Sequence, residues 1–208
     1  MPESDVRPLP RAVLWDADGV LQSGPERVPR LLSAGLPAGV GEALAEDLWT
    51  SAWDDAVAGR WDMVEHVEAT IRAHGLDDHR EVLLATWEQV ETLPDSLEVL
   101  ARVRAQVPCY LATNQDTLRM RTMQQMGYDE LADGVFYSCA VGAAKPDPVF
   151  FERVADALGE DPGDLLFVDD MAENVAAARA VGLHAEQWHF TDGVEALRVT
   201  LAEHGIRA

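Results

Sequence analysis

The chain has 208 residues, 48% of them hydrophobic and 25% charged, a globular composition that excludes disorder and fibrous repeats. Lys and Arg number 16 against 37 Asp and Glu, a formal net charge of −21. A surface that acidic repels nucleic acid and anionic lipid, so neither is expected as a partner; an anionic substrate would need positive charge gathered at one spot, most simply by a bound cation.

The first eleven residues hold three prolines and mixed charge, with no apolar stretch after a basic start. No run approaches the roughly 18 apolar residues of a membrane span, and a cytoplasmic protein is expected. The apolar run 12–15 has the length of a buried strand and ends in Asp16-Ala17-Asp18-Gly19-Val20. From about 22 to 94 no strand is predicted; helical patterns cover 40–59, 62–74 and 79–91, with glycines and a proline as breaks. Trp49 and Trp53, i and i+4 on one predicted helix, are expected to pack into the core of this helical insert. Further strands are predicted at 107–112, 135–139, 165–168 and 183–188. Helices are predicted at 116–126, 147–158, 172–181 and 192–204, with Asp147 as N-cap and Pro148 in the first turn. Alternation of this kind predicts an α/β fold: a Rossmann-like parallel sheet core with helices on both faces, and a small all-helical insert after the first strand. Cys109 and Cys139 form no metal or redox motif and are expected to be buried thiols in a reducing compartment.

Polar groups recur where these apolar runs stop. The first strand delivers Asp16 and Asp18 to its carboxyl end, where open α/β sheets place ligands, and Gly19 permits a sharp turn. The second ends in Thr113-Asn114. Lys145 stands after the third, just before the proline-started helix, and the fourth ends in Asp169-Asp170. Any one of these could be a cap or a solvated turn. Four at four successive strand ends supply a nucleophile, an acid, hydrogen-bond donors, a cation and metal-binding oxygens.

The order DxDGV, TN, KPDP, DD resembles the haloacid dehalogenase-like hydrolase superfamily, over the chain from about Arg11 to Trp188. The resemblance implies a catalytic core made of 1–21 and 95–208 and a helical cap at 22–94. That cap is similar to the type 1 caps of phosphoglycolate phosphatase, β-phosphoglucomutase and haloacid dehalogenase. The segment from Lys145 to Gly182 resembles the branch of sugar-phosphate phosphatases and the N-terminal phosphatase of epoxide hydrolase. It further implies Mg²⁺ held by Asp16, the main-chain carbonyl of Asp18, and Asp170 helped by Asp169. Asp16 would attack phosphorus and Asp18 would act as acid and then base; Thr113 and the amide of Asn114 would hold phosphoryl oxygens, and Lys145 would neutralise charge.

Displacing halide from carbon needs no acid, and the true dehalogenases lack a carboxylate at the position of Asp18, so Asp18 points to phosphoryl transfer. The glycine-serine-arginine segment of the mutase caps is absent from 22–94. The expectation is a phosphatase for a small phosphorylated metabolite, as a monomer or small homo-oligomer. A β-phosphoglucomutase-like phosphomutase is the alternative, followed by a non-catalytic binding protein on the same fold.

Overall fold

Short strands as apolar as these need cover on both faces, and the chain supplies it from helices on either side. The computed structural model describes residues 9–24, 35–36, 39–48 and 52–208. In chain order its elements begin with β1 (Ala12–Trp15), β2 (Gln22–Ser23), α1 (Val40–Leu48), α2 (Ala52–Val57), α3 (Met63–Ala73), α4 (Arg80–Ala85), β3 (Glu91–Thr92) and α5 (Pro94–Arg104). There follow β4 (Cys109–Thr113), α6 (Thr117–Gln125), α7 (Tyr128–Leu131), β5 (Gly134–Tyr137), α8 (Ser138–Val141) and α9 (Pro148–Leu158). The chain ends with β6 (Leu165–Asp169), α10 (Ala172–Val181), β7 (His184–Gln187) and α11 (Val194–Glu203).

The five predicted strands form one parallel sheet in the order β5-β4-β1-β6-β7. Alternation sorts its side chains into two layers. Val13 and Trp15 of β1 join Leu111, Leu166 and Val168 beneath α5 and α11. Ala12 and Leu14 face the other way, with Phe167, beneath α9 and α10. A third apolar cluster, including Leu44, Met63, Val67, Ile71 and Trp87, belongs to the helices between β2 and β3. Those helices are tied to the start of α6: the Thr117 hydroxyl donates to Asp62 at 2.7 Å and accepts from the Met63 N–H at 2.9 Å, and Arg121 pairs with Asp62.

The stretch read as free of strands is bracketed by β2 and β3, which pair antiparallel through Gln22 with Thr92 and Ser23 with Glu91. The predicted helix 40–59 is described as α1 and α2, while Trp49 lies outside the described residues. Trp53 is half-buried against the third cluster. Helix α5 was not predicted, although Pro94 in its first turn and the buried Ser96, Val99, Leu100 and Val103 follow helical spacing. Both cysteines are free thiols, but Cys139 is half-buried rather than buried. Among the described residues no helix is long and apolar enough to cross a membrane.

Phe151 is wholly buried in the second layer, edge-on to Phe150 and Phe167 at 5.4 and 5.3 Å between ring centroids. Replacing it with alanine is expected to remove about 3–5 kcal/mol of unfolding free energy. Urea unfolding measures this, and a loss below about 1 kcal/mol would show that the layer is not tightly packed.

Candidate active site

Strand β1 is central, and the chain leaves it toward β4 and β5 on one side and toward β6 and β7 on the other. A ligand crevice opens at the carboxyl ends of the strands where such a reversal occurs. Asp16 follows β1 directly at that point, and the next residues turn tightly: the Ala17 carbonyl accepts the N–H groups of Leu21 and Gln22 at 2.8 and 2.9 Å. The turn requires Gly19. Its φ is +77°, and a Cβ placed there would lie 2.7 Å from Cγ and Oδ2 of Asp170.

The other groups arrive from neighbouring strands. Lys145 is buried, with Nζ 2.9 Å from Asp16 Oδ1 and 2.6 Å from Asp169 Oδ2, over the face of Phe167. Asn114 fixes it from behind, its side chain donating to the Lys145 carbonyl at 2.7 Å and accepting the Lys145 N–H at 2.9 Å. Asp169 is 0% exposed, and both its oxygens are engaged: Oδ1 accepts from the Met171 N–H and Asn174, Oδ2 from Lys145 and Asn174. Asp170 is half-buried beside the turn.

Asp18 is exposed, yet its carboxylate is fixed at both oxygens. Gln22 donates to Oδ1 at 2.7 Å and Gln115 to Oδ2 at 2.8 Å. Gln115 also donates to the Thr113 hydroxyl at 3.0 Å, and the hydroxyl of Ser138 accepts its N–H.

A cavity of about 570 Å³ opens over these groups. Asp16, Asp18, Thr113, Asn114, Lys145 and Asp170 all line it, whereas Asp169 stands behind, reaching it through Lys145. Trp53 and Trp87, which also pack with the third apolar cluster, line it from the helical side. Four contributors were not read from the sequence: Gln22, Gln115, Asn174 and Arg119. Asn174 stands five residues after Asp169, in the first turn of α10, and Gln115 directly follows Asn114, spacings that could have signalled both.

Burial raises the pKa of Asp16 well above the carboxylate range; Lys145 opposes the shift and Asp169 adds to it. Burial pulls the Lys145 ammonium down, but Asp16 and Asp169 more than compensate, and it stays charged. Asp170 is raised too, by burial and then by the charge of Asp169. Oxygens of Asp16, Asp169 and Asp170 all lie within 4.8 Å of one another. Three carboxylates facing one ammonium form a hard-oxygen donor set with charge to spare, which fits a divalent cation of the Mg²⁺ type.

Residues 10–182 match the model of the haloacid dehalogenase-like hydrolase family. The chain is 31% identical to Phosphatase MT3486 of Mycobacterium tuberculosis, over 84% of this chain and 85% of that one. It is 37% identical to the sesquiterpene phosphatase astK of Aspergillus oryzae, in a match spanning 42% of this chain and 44% of the relative. The fold is similar, with a TM-score of 0.73 at 18% identity, to the HAD family enzyme bt-2542 of Bacteroides thetaiotaomicron, solved in complex with magnesium and inorganic phosphate. That match covers 85% of this chain and 93% of the other.

Gly19→Ala is expected to displace Asp170 and strain the turn. Mg²⁺ binding, measured by calorimetry, should weaken about tenfold or more, as when groups that orient a metal site are lost. Unfolding free energy should fall by about 1–2 kcal/mol from the left-handed backbone alone. Unchanged Mg²⁺ affinity would show that Asp170 does not depend on this close contact.

Proposed function

The chain belongs to the haloacid dehalogenase-like hydrolase family, and from that footing we propose that it is a Mg²⁺-dependent phosphatase that cleaves a small phosphorylated metabolite through a phosphoryl-Asp16 intermediate. One observation carries the reading: a single cavity presents a buried carboxylate paired to lysine and, two residues on, a second carboxylate held apart from that lysine by two glutamines. The two aspartates are thereby separated into a nucleophile and a proton carrier.

Asp16, Asp170 and the main-chain carbonyl of Asp18 would hold Mg²⁺, with Asp169 behind them. The ion would supply the positive charge that lets a carboxylate approach a phosphate dianion. Lys145 holds Asp16 in place and faces the transferring group with a fixed positive charge. Because the Asn114 side chain is occupied by the Lys145 backbone, the Thr113 hydroxyl and the Asn114 main-chain N–H are left as donors for phosphoryl oxygens. Asp16 attacks phosphorus and the P–O bond to the alcohol breaks, while Asp18 gives its proton to the departing oxygen. Asp18 then takes a proton from the water that cleaves phosphoryl-Asp16, and inorganic phosphate leaves. Gln22 and Gln115 keep Asp18 aimed for both transfers.

The residues from 22 to 94 act in this reading as a cap that chooses the substrate, with 1–21 and 95–208 as the catalytic core. The phosphatase names of two relatives support the substrate class, and the magnesium and phosphate bound by the fold relative suit the donor set. Two free thiols suit the cytoplasm.

Excess chelator should abolish turnover and Mg²⁺ should restore it; full activity in chelator would overturn the reading. Asp18→Asn should slow hydrolysis of an alkyl phosphate by about 10²–10⁴-fold, the range of general acid catalysis. With an activated aryl phosphate, whose leaving group needs no proton, the same variant should release a burst of phenol and then stall as phosphoryl-enzyme. Rapid-quench kinetics measures both. Equal losses on the two substrates, with no burst, would remove Asp18 from the role of acid and base.

A further inference from the structure

Seven arginines, among them Arg102 with Glu98 and Arg104 with Asp133, pair with an acid at exposed or half-exposed positions. Arg119 is different. It is 3% exposed, has no ion pair among the described residues, and lines the same cavity as Asp16 and Lys145. Its place is set by α6, whose N-cap Asp116 accepts the N–H groups of Leu118 and Arg119. Nη1 donates to the main-chain carbonyl of Trp87, from the helical side of the cavity. Nη2 is buried and has no hydrogen-bond partner among the described residues.

The titratable groups whose charges reach Arg119 are Asp18, Asp116 and Tyr128. Each oxygen of Asp18 accepts a glutamine N–H, Asp116 accepts from the α6 backbone and the Trp87 side chain, and the buried Tyr128 hydroxyl makes no hydrogen bond; none of the three is bonded to the Arg119 guanidinium among the described residues. A buried donor of a charged group without an acceptor is costly, and the guanidinium fork matches oxyanions best. Trp53, Trp87 and Phe190 line the same cavity and offer an apolar wall beside it.

We propose that Arg119 is a substrate-binding residue that receives a second oxyanion, a carboxylate or a second phosphate, carried on the alcohol half of the substrate, with the apolar part of that alcohol against Trp53, Trp87 and Phe190. This rests on the phosphatase reading for where the first phosphate lies. It narrows the substrate class to phosphate esters of acidic alcohols, or bisphosphates, and sets aside esters of neutral alcohols.

The test uses non-hydrolysable alkylphosphonates, matched in length over a series, ending in methyl, hydroxyl, carboxylate or a second phosphonate. Their binding to the full chain with Mg²⁺ is measured by calorimetry. At one length, the carboxylate or the second phosphonate should bind about tenfold or more tighter than the methyl and hydroxyl ends, as for a hydrogen bond to a charged group. Which of the two wins identifies the oxyanion. In Arg119→Met the ratio should fall toward one; Arg119→Gln, which can still donate to the Trp87 carbonyl, should lose the ratio as well and serves if the methionine variant does not fold. A wild-type ratio near one at every length would overturn the proposal, as would a ratio that survives both substitutions. Equal weakening of all four ligands would mark Arg119 as structural and would also overturn it. Phosphonate binding does not depend on turnover: a retained ratio without hydrolysis of any ester would count against the phosphatase reading alone, whereas hydrolysis without the ratio would count against Arg119 alone.

Discussion

The Lys145 ammonium, held between Asp16 and Asp169, is the contact on which the rest of the site depends. Three charges this deeply buried are tolerable only when they are paired and most of their remaining hydrogen-bonding capacity is filled. The chain meets that demand from four directions: Asn114 grips the lysine backbone, Phe167 lies under the ammonium, Asn174 and the Met171 N–H fill Asp169, and the Ala17 N–H reaches Asp16. Because β1 and β6 are neighbours in register, with Trp15 beside Val168, the two carboxylates emerge side by side at the strand ends. The sheet order thus has a chemical consequence. It brings a carboxylate from each of two strands to one lysine.

The same arrangement leaves the charge unbalanced. Asp170 adds a third carboxylate to a cluster served by one ammonium, in a chain with 21 more formal negative than positive charges. Further positive charge would relieve this, and in the proposed mechanism a cation in the cavity supplies it, both to the carboxylates and to the incoming phosphate dianion. The Asp18 carboxylate is tethered apart from this cluster by its two glutamines, which suits the proton exchange proposed for it.

What could be read from the sequence followed a simple rule: an apolar run that stops at a polar residue marks a buried strand and its exit. Asp16, Thr113 and Asp169 stand at or just beyond such stops, and the sheet and most of its covering helices followed from them. The rule fails where function depends on side-chain direction across the fold. Gln22 looked like the start of an insert, yet it is wholly buried, pairs in β2 and turns its amide to Asp18. Nothing in the sequence sets Arg119 apart within the predicted helix 116–126; its burial and its bond to the Trp87 carbonyl show it to be interior. Asn114 is a third case: nothing in its position beside Thr113 signals that its side chain holds the Lys145 backbone.

The account turns on whether Asp16 itself carries the phosphoryl group. Acid quenching during steady turnover of a good phosphate ester, followed by proteolysis and peptide mass spectrometry, reads this directly. The account predicts the mass of one phosphoryl group on the peptide holding Asp16, placed on that residue by fragmentation and absent from the Asp16→Asn protein. Continued hydrolysis by Asp16→Asn, or a phosphoryl group found on another residue, would contradict it.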